Sequence, residues 1–288
     1  MKLIVECGAT KSDWTLLDGI EIHTSFKTEG MNFSSGDDEF IARSLDDGLL
    51  KIQDALDSES LYEIHFYAAG LFPSEDFNSP YQVLYQKIRS YFGETDIHLE
   101  NDLLAAARAV CGHESGIACI LGTGSNVCVY DGSQIIRKVS SGGFILGDEG
   151  SASALGRAFI SDYIKGLVPE CVGLAFAEKY DLSYPSVVQG VYHSASPAAY
   201  LGRFAPDIIS FYEINHYMQH LVDENFRRFI DRCILPLIGP GASMPIGAVG
   251  SFGYACKEIL ASLGEQEGVH FRRFLRSPSE GLIKYHAD

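Results

Sequence analysis

The chain has 288 residues, 46% apolar and 21% charged, which supplies a core, excludes global disorder and suits two domains or one large one. Its 22 Lys/Arg against 38 Asp/Glu give a formal net charge of −16. That excludes an ordinary nucleic-acid binder, whose affinity comes from cations on phosphates, but leaves local phosphate binding by backbone N–H groups open. Residues 1–113 hold 8 basic and 20 acidic residues, 114–288 hold 14 and 18, an asymmetry that points to a division near residue 113. No apolar run approaches the ~18 residues of a membrane span, and Met1 to Glu6 lacks the apolar region of a signal peptide. Seven scattered cysteines without a CxxC pair read as free thiols, so the expected compartment is the cytoplasm.

Leu3-Ile4-Val5 reads as a buried strand, followed by the small-residue turn Glu6-Cys7-Gly8-Ala9-Thr10-Lys11-Ser12. Trp14 to Leu17 and Ile20 to Thr24 are two more strands, joined by the hairpin pair Asp18-Gly19. The apolar spacing of Asp37 to Leu56 predicts a helix, Ile64 to Gly70 a strand, Pro80 to Phe92 a helix, Ile97 to Leu99 a strand, and Leu103 to Cys111 an Ala-rich helix. Such alternation after a meander indicates an α/β layer architecture.

The opening pattern then returns. Ile117 to Leu121 is a strand, Gly122-Thr123-Gly124-Ser125-Asn126 a turn, Val127 to Tyr130 a strand, Asp131-Gly132 a hairpin pair and Gln134 to Ile136 a strand. Matched internal spacing favours a duplicated domain over chance. Long apolar periodicities over Ser151 to Leu167 and Pro206 to Leu235 predict helices, the second broken or bent. Ile246 to Val249 reads as a buried strand ending in Gly250-Ser251-Phe252-Gly253, with a helix from Tyr254 to Leu263. The tail from Phe271 to Tyr285 reads as strand then helix and is placed to return to the first domain.

Walker, Rossmann, protein-kinase and GxSxG patterns are all missing from the sequence. What remains is a pair of Gly/Thr/Ser turns. Each alone is a tight hairpin; together they can grip one polyphosphate through backbone N–H and hydroxyl groups. Glu6 can orient hydrated Mg²⁺ beside the first turn, or be a solvated strand-end acid. Asp102, at a strand's carboxyl end, can accept a hydroxyl proton, or serve as the cap of the helix it opens. In Ser141-Gly142-Gly143-Phe144-Ile145-Leu146-Gly147-Asp148-Glu149-Gly150-Ser151, Asp148 and Glu149 can bond sugar hydroxyls, or the segment can cap the next helix. His216 and His220 share a helix face without a third metal ligand, and Cys7 reads as a small filler.

The first turn, the Gly122–Asn126 turn and the Gly142–Ser151 block resemble, in order and spacing, the N-acetylglucosamine kinases. These form part of the BadF/BadG/BcrA/BcrD group in the sugar kinase–Hsp70–actin ATPase superfamily. The resemblance implies an α/β fold of two duplicated ribonuclease H-like, actin-like ATPase domains with an interdomain cleft. The boundaries expected are 1–113 plus about 277–288, and 114–276 with helical additions. It implies phosphorylation of an amino sugar at its 6-hydroxyl by ATP with Mg²⁺. By match, Gly8, Ala9, Thr10 and Lys11 become the first phosphate loop, and Gly122, Thr123 and Gly124 the second. Gly250, Ser251 and Phe252 match the adenosine motif, and Asp102 the catalytic aspartate. Asn32, Gly143 and Asp148 match sugar contacts, with Ser125 and Asn126 on the substrate side and Glu6 placing Mg²⁺ through water. Two departures stand out: Cys7-Gly8-Ala9 replaces three glycines, and Phe144 replaces a tryptophan in a block two residues shorter.

The expected partner is a small amino sugar, without nucleic acid or membrane, and a homodimer is left open. An activator ATPase of the same group, or a sugar or nucleotide sensor without catalysis, stand as alternatives.

Overall fold

The computed structural model describes residues 1–8, 11–31, 33, 38–57, 59–239 and 244–287. The chain separates into two units: Met1–His113 with Pro278–Asp288, and Glu114–Ser277.

The first unit opens with β1 (Lys2–Cys7), β2 (Lys11–Asp18) and β3 (Glu21–Glu29), followed by α1 (Asp38–Leu56), β4 (Glu63–Ala68), α2 (Pro80–Phe92), β5 (Asp96–Asn101) and α3 (Asp102–Cys111). The strands lie in the order β3-β2-β1-β4-β5, with β1–β2 and β2–β3 antiparallel and β1–β4 and β4–β5 parallel. The Asp18-Gly19 signal is met by Gly19 at φ +60°, which a two-residue hairpin loop needs. The predicted bounds of α2 hold because its ends are chemically marked. Ser79 accepts a hydrogen bond from the Gln82 N–H, Pro80 occupies the first turn, and Gly93 closes the helix at φ +64°. Leu3, Val5, Trp14, Leu16, Leu49, Ile52, Ile64 and Phe66 form its core.

The second unit repeats the plan with β6 (Gly116–Leu121), β7 (Ser125–Tyr130) and β8 (Ile135–Val139). Then come α4 (Gly143–Leu146), α5 (Ala152–Ile164), α6 (Glu170–Lys179), α7 (Tyr184–Tyr192), α8 (Pro197–Gly202), α9 (Ala205–Ser210) and α10 (His216–Phe229). It ends with β9 (Ile246–Val249), α11 (Ser251–Ala255), α12 (Lys257–Gln266) and β10 (Phe271–Leu275). The sheet order β10-β9-β6-β7-β8 maps strand for strand onto the first sheet, with parallel and antiparallel pairs in the same places. The repeat that the duplicated pattern led one to expect is present, and both sheets have the ribonuclease H-like arrangement that the resemblance implied.

The long helix expected over Pro206 to Leu235 is broken. After α9 the chain turns, and α10 runs into one π-helical turn at Ile230–Ile234 before Pro236 ends it. The helix expected from Tyr254 is likewise two pieces, α11 and α12, interrupted at Cys256.

The last element, α13 (Ser279–Ala287), packs on α3 and β1 of the first unit. The backbones of α13 and α3 come so close that a Cβ at Gly281 would stand 2.4 Å from the Ala109 carbonyl oxygen.

Candidate active site

Parallel strands present their carboxyl ends together, and in the first unit β1, β4 and β5 end at Cys7, Ala68 and Asn101. Asp102 follows directly. It is not the helix cap: Asn101, in extended conformation, caps α3 by accepting a 2.9 Å hydrogen bond from the Leu104 N–H. Asp102 is the first helical residue, and its carboxylate is released from the capping role that its position suggested. Burial raises its pKa, against the opposing pull of the Leu103 and Asp102 backbone N–H groups.

Glu6, one residue before the end of β1, pairs with Asp13 across the antiparallel ladder. Burial first, then the charges of Asp13 and Asp102, push its pKa up to about 8, against Lys11 and Lys27. Both lysines lie against Asp13, at 3.5 and 3.3 Å. Three carboxylates thus share a place with too little positive charge, and oxygen donors of this kind suit a hard divalent cation. Gly8 closes the turn through its N–H to the Lys11 carbonyl at 3.0 Å, and its own carbonyl accepts from the Met31 N–H. Ala9, Thr10 and Asn32 lie outside the described residues. Cys7 is fully buried, and burial pushes its thiol up to about 12, so it fills space.

The second turn is built differently. The Gly122 N–H donates to the Gly124 carbonyl, and the Gly122 and Thr123 carbonyls accept from the N–H groups of Ala152 and Ser153 at the start of α5. The turn is tied to the helix behind it. Thr123 is exposed, and a Cβ on Gly122 would meet nothing within 4 Å. A Cβ on Gly124 would instead lie 3.1 Å from the Asp148 carboxylate, whose Oδ1 accepts a hydrogen bond from the Ser125 N–H at 3.2 Å. Asn126 turns its Oδ1 back to the Val127 N–H.

Asp148 is buried, with φ +55° in the left-handed region, a conformation that Asp tolerates better than most residues. Burial raises its pKa, opposed by the Ser125 N–H and Arg157. The neighbouring Glu149 is engaged with Arg232 at 3.1 Å. Ser151 caps α5 by accepting from the Ala154 N–H, so the block does serve as a capping segment in its last residue while Asp148 stays separate. Gly143, at φ +67°, opens α4.

In the Gly250–Phe252 segment the glycine and the phenylalanine are taken up by packing. A Cβ on Gly250 would stand 2.3 Å from the Leu121 carbonyl oxygen, and Phe252 is buried against Phe226 with ring centroids 5.7 Å apart. Ser251 is exposed at the start of α11. Glu149, Arg157, Asn225 and Arg232 line a cavity of about 580 Å³ behind the Gly142–Ser151 block.

Comparison with known structures now decides the family. At 35% identity and a TM-score of 0.87, 100% of this chain and 99% of the other match a provisionally named N-acetylglucosamine kinase from Porphyromonas gingivalis. The chain belongs to the N-acetylglucosamine kinase family of sugar kinases. Another provisionally named member, from Chromobacterium violaceum, matches over 99% of this chain and 98% of its own at 17% identity, with a TM-score of 0.76. A ROK-family glucokinase from Streptomyces griseus, solved with glucose and AMPPNP, matches over 98% and 97% at 16% identity and 0.50. These last two share the fold. No family model matches the chain, and no curated protein does.

One residue of the family block's surroundings escapes sequence reasoning. Asn225, buried on α10, accepts from the Gly150 N–H and donates to the Ser151 carbonyl, each at 3.2 Å, and so pins the segment that carries Asp148. A signal existed: Met218, Val222, Phe226 and Phe229 form the buried stripe of α10, and Asn225 is the polar residue inside it.

Proposed function

We propose that the protein transfers the γ-phosphoryl group of ATP to the 6-hydroxyl of N-acetylglucosamine or a closely related amino sugar, with Asp102 as the general base. The observation that carries the reading is the division of labour at the end of β5. Asn101 caps the helix, so Asp102 keeps a half-buried carboxylate of raised pKa free for a proton. Family membership supplies the reaction class and the sugar-kinase alternative to a plain nucleotide hydrolase.

In this mechanism Asp102 accepts the proton of the attacking hydroxyl as its oxygen meets the γ-phosphorus in line. Asp148, Gly143 and Asn32, with Ser125 and Asn126 beside them, orient the sugar. Gly8, Ala9, Thr10 and Lys11 on one unit, and Gly122, Thr123 and Gly124 on the other, hold phosphates. Gly250, Ser251 and Phe252 border the adenosine, Phe252 through its backbone. Glu6, with Asp13 beside it, would hold a Mg²⁺ ion, and that ion when bound would supply charge neutralisation at the phosphate oxygens. The alternative of an activator ATPase needs thiolate ligands for a cluster. Cys7, Cys233 and Cys256 are buried thiols whose pKa values are pushed up to about 12, the reverse of that state.

The test is kcat/KM for N-acetylglucosamine, glucosamine, N-acetylmannosamine and glucose on one preparation, read by ADP release. N-acetylglucosamine should lead, by about 10–200-fold over glucose, the scale of a modest pocket contact. A wide preference for glucosamine would replace the substrate. ADP release with none of the sugars would remove the kinase reading.

A further inference from the structure

The first unit carries a second polar cluster that the proposed reaction does not use. Glu63 and His65 on β4 and Asp96 and His98 on β5 face one another in register, Glu63 opposite Asp96 and His65 opposite His98. Residues two apart on a strand share a face, so these four side chains form a square at the amino-terminal ends of the two strands. Along β5, His98 stands four residues before Asp102, or roughly 13 Å at ~3.3 Å per residue.

We propose that Glu63, His65 and His98 bind one zinc-class divalent ion. Glu63 Oε1 lies 3.0 Å from His65 Nε2 and 3.6 Å from His98 Nε2, and all three atoms lie within 4.8 Å of one another. Zinc bonds of ~2.0–2.1 Å at tetrahedral angles place ligand atoms about 3.3–3.4 Å apart, so both distances to Oε1 bracket the required edge. Two imidazoles with one carboxylate select a borderline cation over Mg²⁺ or Ca²⁺.

The polar atoms of the cluster are arranged for a ligated ion. The His65 side chain is 9% exposed, and its ring nitrogens are buried without a hydrogen-bond partner among the described residues; even the close approach of Nε2 to Glu63 lacks hydrogen-bond geometry. A buried imidazole left this way is costly unless something else claims it. Lys2 takes the other Glu63 oxygen, Oε2, at 3.1 Å, which holds the carboxylate while leaving Oε1 toward the rings. His286 of α13 stacks over His65 with centroids 3.8 Å apart, but its Nε2 is engaged with the Tyr67 hydroxyl at 2.8 Å, so it packs and does not ligate. The His65 and His98 rings are stacked, 10° from parallel with centroids 4.7 Å apart. To direct both lone pairs at one ion, the His98 ring must turn about its own side-chain torsions, and its 40% exposure leaves it room. The fourth position is open to water or to Asp96, whose Oδ2 lies 3.2 Å from His98 Nε2.

The experiment is calorimetric titration of the full chain with ZnCl₂, without Mg²⁺ or nucleotide, for the wild type, His98→Gln and Glu63→Gln. Both substituted side chains reach solvent, so neither change empties the core, and circular dichroism verifies the fold. The expected result is one saturable ion per chain in the wild type, weakened at least ~10-fold in each variant, no less than the loss of an outer-shell partner costs. Absence of saturable binding at micromolar zinc overturns the proposal. So does unchanged affinity in either variant, which is also what zinc captured by the exposed Cys171 thiol would give.

Discussion

The two sheets share an order, a register pattern and a glycine turn after the first strand, yet their turns are different devices. In the first unit the turn is surrounded by titratable side chains: Glu6, Lys11, Asp13, Lys27 and Asp102 influence one another through space. In the second it is held by backbone bonds to α5, and one carboxylate, Asp148, braces it from below. The segments between third and fourth strands differ in the same sense. Among the described residues one helix, α1, fills that place in the first unit, and helices α4 to α10 fill it in the second. The sheet is thus a frame used twice, while the chemistry was placed by what was attached to it. One copy gathers charged side chains at its turn, the other braces its turn by backbone bonds.

The sharpest break in that contrast would come at Asp102. Asp102→Asn should lower kcat by about 10²–10⁴-fold, the range for a lost general base, with both KM values within a few fold. Coupled ADP release on a variant with native circular dichroism is the measurement. Near-normal turnover would take Asp102 out of the mechanism.

Next comes Asp148→Ala, which removes the proposed sugar acceptor and leaves the Ser125 N–H without its partner. The sugar KM should rise about 10–150-fold, the equivalent of one hydrogen bond to a charged group, ~1.5–3 kcal/mol. Asp148→Asn, which tolerates the same left-handed backbone, should lose less; equal losses would mean that only the carboxylate charge matters.

A smaller effect separates the two glycines of the second turn. Gly122→Val has free space, so the fold should survive while the ATP KM rises about tenfold, near one phosphate hydrogen bond of ~1.5 kcal/mol. Gly124→Ala presses on the Asp148 carboxylate and should raise the sugar KM instead. Calorimetry with each ligand tests the split, and identical profiles for the two variants would erase the distinction.

The mildest test concerns the charged turn. Glu6 keeps its proton up to about pH 8 when folded, against an ordinary value of 4.5, so in that window the folded chain binds more protons than the unfolded one. Its stability contribution therefore falls as pH rises from 4.5 through about 8. Glu6→Gln should flatten this fall, with its Tm gaining on the wild type between about pH 5 and pH 9. Parallel Tm curves would show that Glu6 is ionised throughout.

Much of this frame was legible in the residues. The duplicated meander showed through the glycine turns and the Asp-Gly pairs, because a hairpin needs positive φ at a fixed place and few residues supply it. Even so, the second pair does not repeat the first: β7 and β8 are joined by a longer loop, in which Asp131 Oδ1 accepts from the Ser133 and Gln134 N–H groups. Helices α6, α7 and α8 carry a proline at their starts, Pro169, Pro185 and Pro197, but little else to mark them. They are short, and α6 spreads small and apolar residues around its circumference, so no stripe stands out. Asp102 drew notice by its place at a strand end, but its competing role as a cap could be dismissed only by seeing Asn101 take it. The histidine square was invisible for another reason: Glu63 to His65 and His98 is a pairing across strands, and strand register is not written in either segment alone.

The attachment of α13 to the first unit has a consequence for how the chain is made. Residues 114–277 form one continuous unit, whereas the first unit draws on two separate stretches of sequence and needs residues 278–287 to return to it. Without them α3 has its Ala109 backbone bare where Gly281 lies, and β1 lacks the helix that packs on it. The unit written first therefore waits on a segment written after the other. A purified chain cut back to residue 277 should protect its carboxyl-terminal portion from protease while its amino-terminal portion is still cut.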